Sequence, residues 1–320
     1  MAVSNLSVFP GADLVELRHL SGHDLEPVLD EETAAWKAAL DWDFTPSAEL
    51  VVRFVNMQAL SGYALLVNRR IAGYCYSIAE ESKGLIGDIY VKRQHRNWLR
   101  ENRLLEAVLV ELWKRAAVER VESQLMMLDS QIDRPMPFPH RMSTFRRTFM
   151  MRQTGRPLVE GRAADRMLLE SWRDERLEEA AHLIHACYGG HVDSLINDQY
   201  QSPAGARRFL LNIVQYPGCG RFCQPASFLA FDKRSGVPCG MVLSSVVAVD
   251  VGHITQLCVL PEARGQGVGY ELMRRALDEL AGYGCAKVSL TVTSANEGAI
   301  ALYERLGFSR QREFAAHVWE

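Results

Sequence analysis

The stretch RGQGVG, residues 264–269, is the most informative segment of this chain. It places three glycines in six residues between a β-branched apolar run (253–259) and an amphipathic helical pattern that starts near Val268. Glycines ahead of a helix N-terminus expose converging N–H groups, and the helix dipole adds positive potential behind them. Arg264 contributes a formal positive charge. The pattern predicts a phosphate site in which the missing β-carbons leave room for a pyrophosphate.

Two common phosphate-binding patterns do not fit this stretch. A P-loop ends in Gly-Lys-Ser/Thr, whereas Gly269 is followed by Tyr270 and Glu271. A dinucleotide fingerprint requires G-x-G-x-x-G, and the last spacing here is wrong. The remaining pattern, Arg-x-x-Gly-x-Gly after V-x-P-x-x, resembles the coenzyme A signature of the GNAT superfamily of N-acetyltransferases. A helix start with chance glycines is the alternative.

A second segment strengthens the resemblance. LTVTSANEGAIALYERLGFSR, residues 290–310, is similar to the second GNAT motif, in which a strand feeds a helix that ends in Leu-Gly-Phe. Asn296 stands at the start of that helix as a candidate cap or ligand contact, and Tyr303 lies on the same helix. The two motifs occur in the expected order, so the resemblance covers residues 165–320.

The resemblance implies a site for acetyl-CoA as co-substrate, with no metal. The cofactor would lie in a V-shaped opening between two parallel strands, and the acceptor amine would attack the thioester without a covalent enzyme intermediate. Tyr303 is the candidate proton donor to the leaving thiolate, and His253 is the candidate base. The pantetheine arm is expected against the backbone of Leu257, Cys258 and Val259, and the pyrophosphate against Arg264, Gly265, Gln266, Gly267, Val268 and Gly269.

The two halves of the chain follow one plan of strands and helices, which predicts an α/β fold of two tandem GNAT folds, each a mixed central sheet flanked by helices. Such an arrangement is similar to that of the mycothiol synthases. Alignment places Arg96 on Arg264, but Leu99 and Glu101 replace two of the glycines. We therefore predict a degenerate first domain, residues 1–155, and an active second domain, residues 165–320.

Composition narrows the class of protein. The 320 residues are 48% hydrophobic with a net charge of −3, which favours neither nucleic acid nor an anionic membrane as partner. Seven scattered cysteines, a start that lacks the features of a signal peptide, and the absence of a long apolar run favour a cytoplasmic protein. Cys219 and Cys223 have a loosely metal-like spacing, but no further ligand cluster accompanies them.

The expected function is acetyl-CoA-dependent transfer of an acetyl group to a primary amine, with a small molecule as acceptor. The alternative is a catalytically idle, CoA-responsive binding module whose basic N-terminal half binds an anionic partner. The segment KRQHRNWLRENR (92–103) motivates that alternative, because it holds five Lys or Arg residues and one acidic residue.

Overall fold

The computed structural model describes residues 12–115, 117–128, 132–216, 218 and 220–320, which pack as two units. Unit 1 contains the described residues up to 38, together with 44–144 and 315–320. Unit 2 contains residues 39–43 and 145–314. Cys219 and the N-terminal residues on which the signal-peptide prediction depends lie outside the described residues.

The described residues of unit 1 form a mixed sheet with three α-helices. Strands β1 to β4 pair in order as antiparallel neighbours, and β5 runs parallel to β4. Residues 316–319 then pair antiparallel with β5. The elements are β1 (Ala12–Glu16), α1 (Gly22–Leu40), α2 (Thr45–Asn56), β2 (Ser61–Val67), β3 (Arg70–Glu80), β4 (Lys83–Val91), α3 (Trp98–Trp113) and β5 (Arg120–Gln124).

Unit 2 has a similar plan with more helices. Its elements are β6 (Met142–Gln153), β7 (Met167–Ser171), α4 (Leu177–Tyr188), α5 (Asp193–Ile196), α6 (Pro203–Gln215), β8 (Arg221–Phe222), β9 (Phe228–Asp232), β10 (Pro238–Ala248), β11 (Val251–Val259), α7 (Val268–Gly282), β12 (Lys287–Thr293), α8 (Glu297–Arg305) and β13 (Ser309–Trp319). The strand order is β6-β12-β11-β10-β9-β7, and only the β11–β12 pair is parallel.

The boundary between the two units lies earlier in the chain than the predicted domain boundary at 155–165. β6 pairs antiparallel with β12 from Arg147↔Thr293 to Gln153↔Lys287, so residues 145–153 pack with unit 2. The last residues of β13 pair with β5 and belong to unit 1. These ladders join residues far apart in sequence, which no local pattern reveals. The assignment of residues 1–155 to a degenerate GNAT domain stays a prediction.

Helices cover both faces of the unit 2 sheet. On one face α7 buries the apolar stripe that its sequence predicts, which consists of Val268, Leu272, Ala276, Leu277 and Leu280. On the other face α4 and α6 pack on Met241 and Leu243, whereas Val242 between them faces α7. This alternation is the period-two pattern of a strand buried on both sides.

The remaining general expectations concern membranes and thiols. Among the described residues, no helix combines the length and apolar character needed to cross a bilayer. Six of the seven cysteines lie in the described part of the chain, and all six are buried free thiols.

Candidate active site

The central feature of unit 2 is an opening between two parallel strands. β11 and β12 pair only from Val251↔Lys287 to Ile254↔Leu290. Beyond that point β11 stays paired with β10 as far as Val259, and β12 stays paired with β6 as far as Thr293. The facing edges of 255–259 and 291–293 therefore diverge, and a strand edge with free backbone groups can pair with an extended ligand.

The glycine turn follows directly at the end of β11. Gly265 and Gly267 have φ values of 71° and 95°, in the left-handed region that glycine adopts without steric cost. Gly267 is the N-cap of α7, and no side chain caps that helix end. Its first amide groups therefore have no side-chain acceptor among the described residues, and a helix N-terminus of this kind favours an anion.

Gly269 is small for a different reason. It lies inside α7, where an added β-carbon would stand 3.3 Å from Leu302 Cδ2 and 3.6 Å from Val259 Cγ2. Its missing side chain lets α7 approach α8 and the end of β11. The observed role of Gly269 is therefore to allow close packing. That it also leaves room for phosphate stays a prediction.

Arg264 is committed to backbone carbonyls. Its Nε donates to the Val259 carbonyl at 3.1 Å and its Nη2 to the Cys187 carbonyl at 2.8 Å, so it ties the end of β11 to the end of α4. The neighbouring Gln266 donates to the Glu262 carbonyl at 2.7 Å. Both residues shape the turn through these contacts, and phosphate binding by their side chains stays a prediction.

An arginine that sequence reasoning missed lies against the turn. Arg162 is exposed and donates to the Gly265 carbonyl, and its Cγ lies 3.2 Å from where a β-carbon of Gly267 would be. It brings a cation to the glycine turn from a segment about one hundred residues earlier. No motif signals it, because only the fold brings the two segments together.

His253 lies away from the opening. It is 4% exposed, its Nδ1 is 2.9 Å from Ser289 Oγ, and its ring meets Trp42 edge-on at 4.8 Å. Burial lowers the pKa of His253 to about 3. It pairs with Ser289 on the parallel part of β11, before the strands part. This is the environment of a neutral, hydrogen-bonded core histidine, and it does not support the predicted role as base.

Tyr303 lies on α8, which begins just after β12, and Asn296 is the N-cap of that helix. Asn296 caps the helix, with its Oδ1 accepting the Ala299 amide at 3.2 Å. Tyr303 is 7% exposed, and burial, with a smaller effect of Asp193, raises its pKa, so the phenol stays protonated at neutral pH. Among the described residues its hydroxyl has no hydrogen-bond partner, which leaves that proton available.

A cluster of polar and aromatic side chains also lies beside the opening, and the sequence analysis did not predict it. Tyr188 stacks on Tyr200 at 4.3 Å, and Gln256 donates to the Tyr188 hydroxyl at 2.9 Å. The Tyr188 hydroxyl in turn donates to the Leu257 carbonyl at 3.4 Å. Burial raises the pKa of both tyrosines, so both are neutral. These residues come from α4, β11 and the segment before α6, which the tertiary structure alone joins.

The geometry agrees with comparisons to known proteins. Residues 192–308 match the acetyltransferase (GNAT) family model. The chain contains a GNAT acetyltransferase domain. Solved structures with the GNAT fold align with almost the whole of this chain. A GCN5-related N-acetyltransferase from Sphaerobacter thermophilus matches with a TM-score of 0.71 and 16% identity, over 98% of this chain and 96% of that one.

A tandem GNAT protein from the clavulanic acid biosynthesis pathway matches with a TM-score of 0.57 and 15% identity, over 96% of this chain and 98% of that one. At these identities the likeness concerns the fold alone, and it confirms the predicted fold of two tandem GNAT folds.

Curated relatives match shorter stretches of this chain. N-alpha-acetyltransferase MAK3 of Arabidopsis thaliana is 43% identical over 61 residues, which are 19% of this chain and 32% of the relative. Mycothiol acetyltransferase of Mycobacteroides abscessus is 33% identical over 138 residues, 42% of this chain and 40% of the relative. The chain thus spans about a third to two fifths of the curated relatives it matches.

Within the described residues, no group of three or more His, Cys, Asp or Glu side chains is placed to hold a metal ion.

Proposed function

We propose that the protein is an acetyl-CoA-dependent N-acetyltransferase that works in unit 2 and transfers the acetyl group directly to a primary amine of a small molecule. The observation that carries the proposal is the opening between β11 and β12, which ends at an uncapped helix N-terminus. A strand edge that has parted from its parallel neighbour, followed by a helix N-terminus without a side-chain cap, suits a ligand with an amide-bearing arm and a pyrophosphate.

The two ends of the cofactor would meet different parts of the site. The pantetheine arm would lie against the edge of β11 at Leu257, Cys258 and Val259 as an added strand. The pyrophosphate would accept the amides of the turn from Gly265 to Gly269. Arg162 supplies positive charge there, whereas Arg264 holds the turn in place through the carbonyls it binds.

Tyr303 is the proposed proton donor. Attack by the neutral amine forms the C–N bond, and the C–S bond breaks with its electron pair left on sulfur. The Tyr303 hydroxyl protonates that thiolate. After attack, the nitrogen loses one proton to become the amide nitrogen, and this proton restores the phenol. A phenol whose pKa is raised by burial stays protonated until the thiolate forms, as a general acid must. His253, with a pKa of about 3, is too weak a base for the amine proton.

The proposed acceptor class rests on how much of this chain each of two relatives matches. The similarity to mycothiol acetyltransferase extends over 42% of this chain, whereas the similarity to the N-alpha-acetyltransferase covers 19%. The longer match favours a small-molecule amine over a protein N-terminus. A test with spermidine, tyramine, glucosamine and an alanine-initiated peptide, each at saturating acetyl-CoA, ranks these classes by the rate of thiol release.

Calorimetry tests the cofactor assignment directly. We expect one acetyl-CoA per chain, because the corresponding turn of unit 1 lacks the glycines. Two equivalent sites would show that unit 1 also binds the cofactor. Binding without thiol release for any amine would favour the alternative function, a CoA-responsive module without catalysis.

A further inference from the structure

We propose that unit 1 carries a binding site for an organic cation with an apolar body, an alkylammonium or arylammonium ion, in the groove between α1 and α2. All residues that line this groove belong to unit 1, so the inference does not depend on the function proposed for unit 2. It assigns a ligand to the half of the chain that lacks the glycine turn.

The two helices touch at both ends of the groove and part between them. At one end the Gly22 amide donates to Asn56 Oδ1 at 2.8 Å, and an added β-carbon on Gly22 would stand 2.6 Å from Val52 Cγ1. At the other end the rings of Trp36 and Phe44 stack at 5.1 Å. The groove has a volume of about 770 Å³, which suits a small organic ligand. Because the contacts at its ends fix the two helices, the groove exists without a ligand.

Aliphatic side chains from both helices line the groove. Leu29 of α1 is buried, Ala48 and Val52 of α2 are half-buried, and Met57, directly after α2, is 60% exposed. A ligand that covers Met57 and packs on the other three removes apolar surface from water, which favours binding. The lining therefore suits a ligand with an apolar body.

The charged groups of the groove determine the charge of that ligand. Three carboxylates and one guanidinium line it, and the carboxylate of Glu26 already contacts His23 at 2.8 Å. Asp30 of α1 and Glu49 of α2 are exposed, and their side chains have no hydrogen bond or ion pair among the described residues. Arg53 is the guanidinium, so two unpaired carboxylates face one cation. A ligand with a positive charge matches this surplus, whereas an anionic ligand would be repelled.

The same features separate an organic cation from two other ligand classes. Within the described part of the chain, no three His, Cys, Asp or Glu side chains are placed to hold a metal ion. The Gly22–Asn56 and Trp36–Phe44 contacts close the two ends of the groove, so an extended peptide could not run through it. A compact ammonium ion fits both the closed ends and the charge.

The first test measures binding at the groove itself. Methionine-methyl carbon-13 spectra of the full chain, with Met57 assigned through Met57→Leu, are recorded with 2-phenylethylammonium, neutral 2-phenylethanol and anionic 3-phenylpropanoate. The ammonium ion should shift the Met57 methyl signal saturably, the alcohol should bind about tenfold more weakly, and the carboxylate should not bind. A Met57 signal that no probe moves, or equal affinities for the three probes, overturns the inference.

The second test removes the charges one at a time. Asp30→Asn and Glu49→Gln should each weaken the binding of 2-phenylethylammonium about threefold, and the double variant about tenfold, with no effect on 2-phenylethanol. Glu80→Gln is the matched control, because Glu80 is an exposed carboxylate at the end of β3 that does not line the groove. Wild-type affinity in the double variant would show that these carboxylates do not recognise the cation.

The third test fills the groove. Ala48→Trp should abolish the shift of the Met57 signal, and Thr33→Trp should do the same from the α1 side, so either folded variant is sufficient. Ala34→Trp, at an exposed neighbour of Thr33 outside the lining, should bind 2-phenylethylammonium as the wild type does. Circular dichroism checks that each variant is folded. Unchanged binding in a folded Ala48→Trp or Thr33→Trp variant overturns the location of the site.

Discussion

The turn after β4 in unit 1 and the turn after β11 in unit 2 share a framework but differ in what they leave free. In both units the parallel strand pair ends early, at Ile86↔Ser123 and at Ile254↔Leu290. In both, an arginine Nε donates to a valine carbonyl at 3.1 Å, from Arg96 to Val91 and from Arg264 to Val259. The arginine is thus part of the fold of each turn.

The difference lies at the helix N-terminus that follows. In unit 1 the Asn97 side chain accepts the Arg100 amide and caps α3, and Glu101 is buried in an ion pair with Arg134. In unit 2 the cap is Gly267, and no side chain takes the amides of α7. The arginine and the parting strands thus build the turn in both units, whereas the N-cap residue determines whether a side chain takes the first amides of the helix.

The largest effect should come from the ion pair that fills the unit 1 turn. Glu101 and Arg134 have side chains that are each 2% exposed, so Glu101→Gln leaves a buried cation without its partner. We expect the free energy of unfolding to fall by about 3–5 kcal/mol, measured by urea denaturation. The double variant Glu101→Gln, Arg134→Met should recover most of that loss. A single variant as stable as the wild type would show that the pair does not hold this turn.

The next largest effect should come from Tyr303 on α8, a helix with no counterpart among the described residues after β5 of unit 1. After β5 the described residues 125–128 and 132–141 contain no α-helix, whereas β12 is followed by α8 with Tyr303. Tyr303→Phe should lower kcat about 100-fold with little change in acetyl-CoA affinity, because only the donated proton is lost. Tyr283→Phe, at a half-exposed tyrosine at the end of α7, is the control and should keep wild-type kcat. An unchanged kcat in Tyr303→Phe would remove it as the acid.

Gly267→Glu should remove the proposed anion site of the unit 2 turn. The new carboxylate would stand at the helix N-terminus and repel the pyrophosphate, so the Kd for acetyl-CoA should rise about 30-fold, roughly 2 kcal/mol. Gly236→Glu is the matched control, because Gly236 also has a positive φ, 68°, and lies in the turn between β9 and β10. Calorimetry that gives equal affinities for a folded Gly267→Glu variant and the control would contradict the phosphate assignment.

The smallest expected effect concerns the pH dependence of stability, which depends on a buried carboxyl pair at β4 of unit 1. Asp88 of β4 aligns with Gln256 of β11, and it pairs with the fully buried Glu32. Burial raises the pKa of Glu32 well above its ordinary value and that of Asp88 to about 6, whereas unfolding restores both to ordinary values. Stability from these groups is therefore complete below about pH 4 and declines as pH rises through the folded pKa values.

Glu32→Gln keeps a donor toward Asp88 and removes one titration. The loss of unfolding free energy between pH 5 and pH 8 should shrink by about 1 kcal/mol relative to the wild type. Urea denaturation at the two pH values measures it, and an identical pH dependence in both proteins would show that the pair does not titrate in this range.

Local patterns in the sequence determined several features. The glycine turn, the buried stripe of α7, the cap at Asn296 and the plan of two similar halves all follow from residues close together in the chain. Each depends on the spacing of apolar side chains, on backbone conformation or on a side chain that meets an amide three residues away. The family resemblance also rests on such contiguous motifs, and so it could be stated without a structure.

The tertiary structure alone decided which residues meet. It buried His253 against Ser289 and Trp42, committed Arg264 to two carbonyls, and brought His191 and Arg162 to the opening. It also placed residues 145–153 in unit 2. Burial, the pKa values that burial shifts and the pairing of distant strands depend on contacts between residues up to about two hundred positions apart. The sequence predicted a site for the cofactor, and only the packing of distant segments determined which side chains lie beside it.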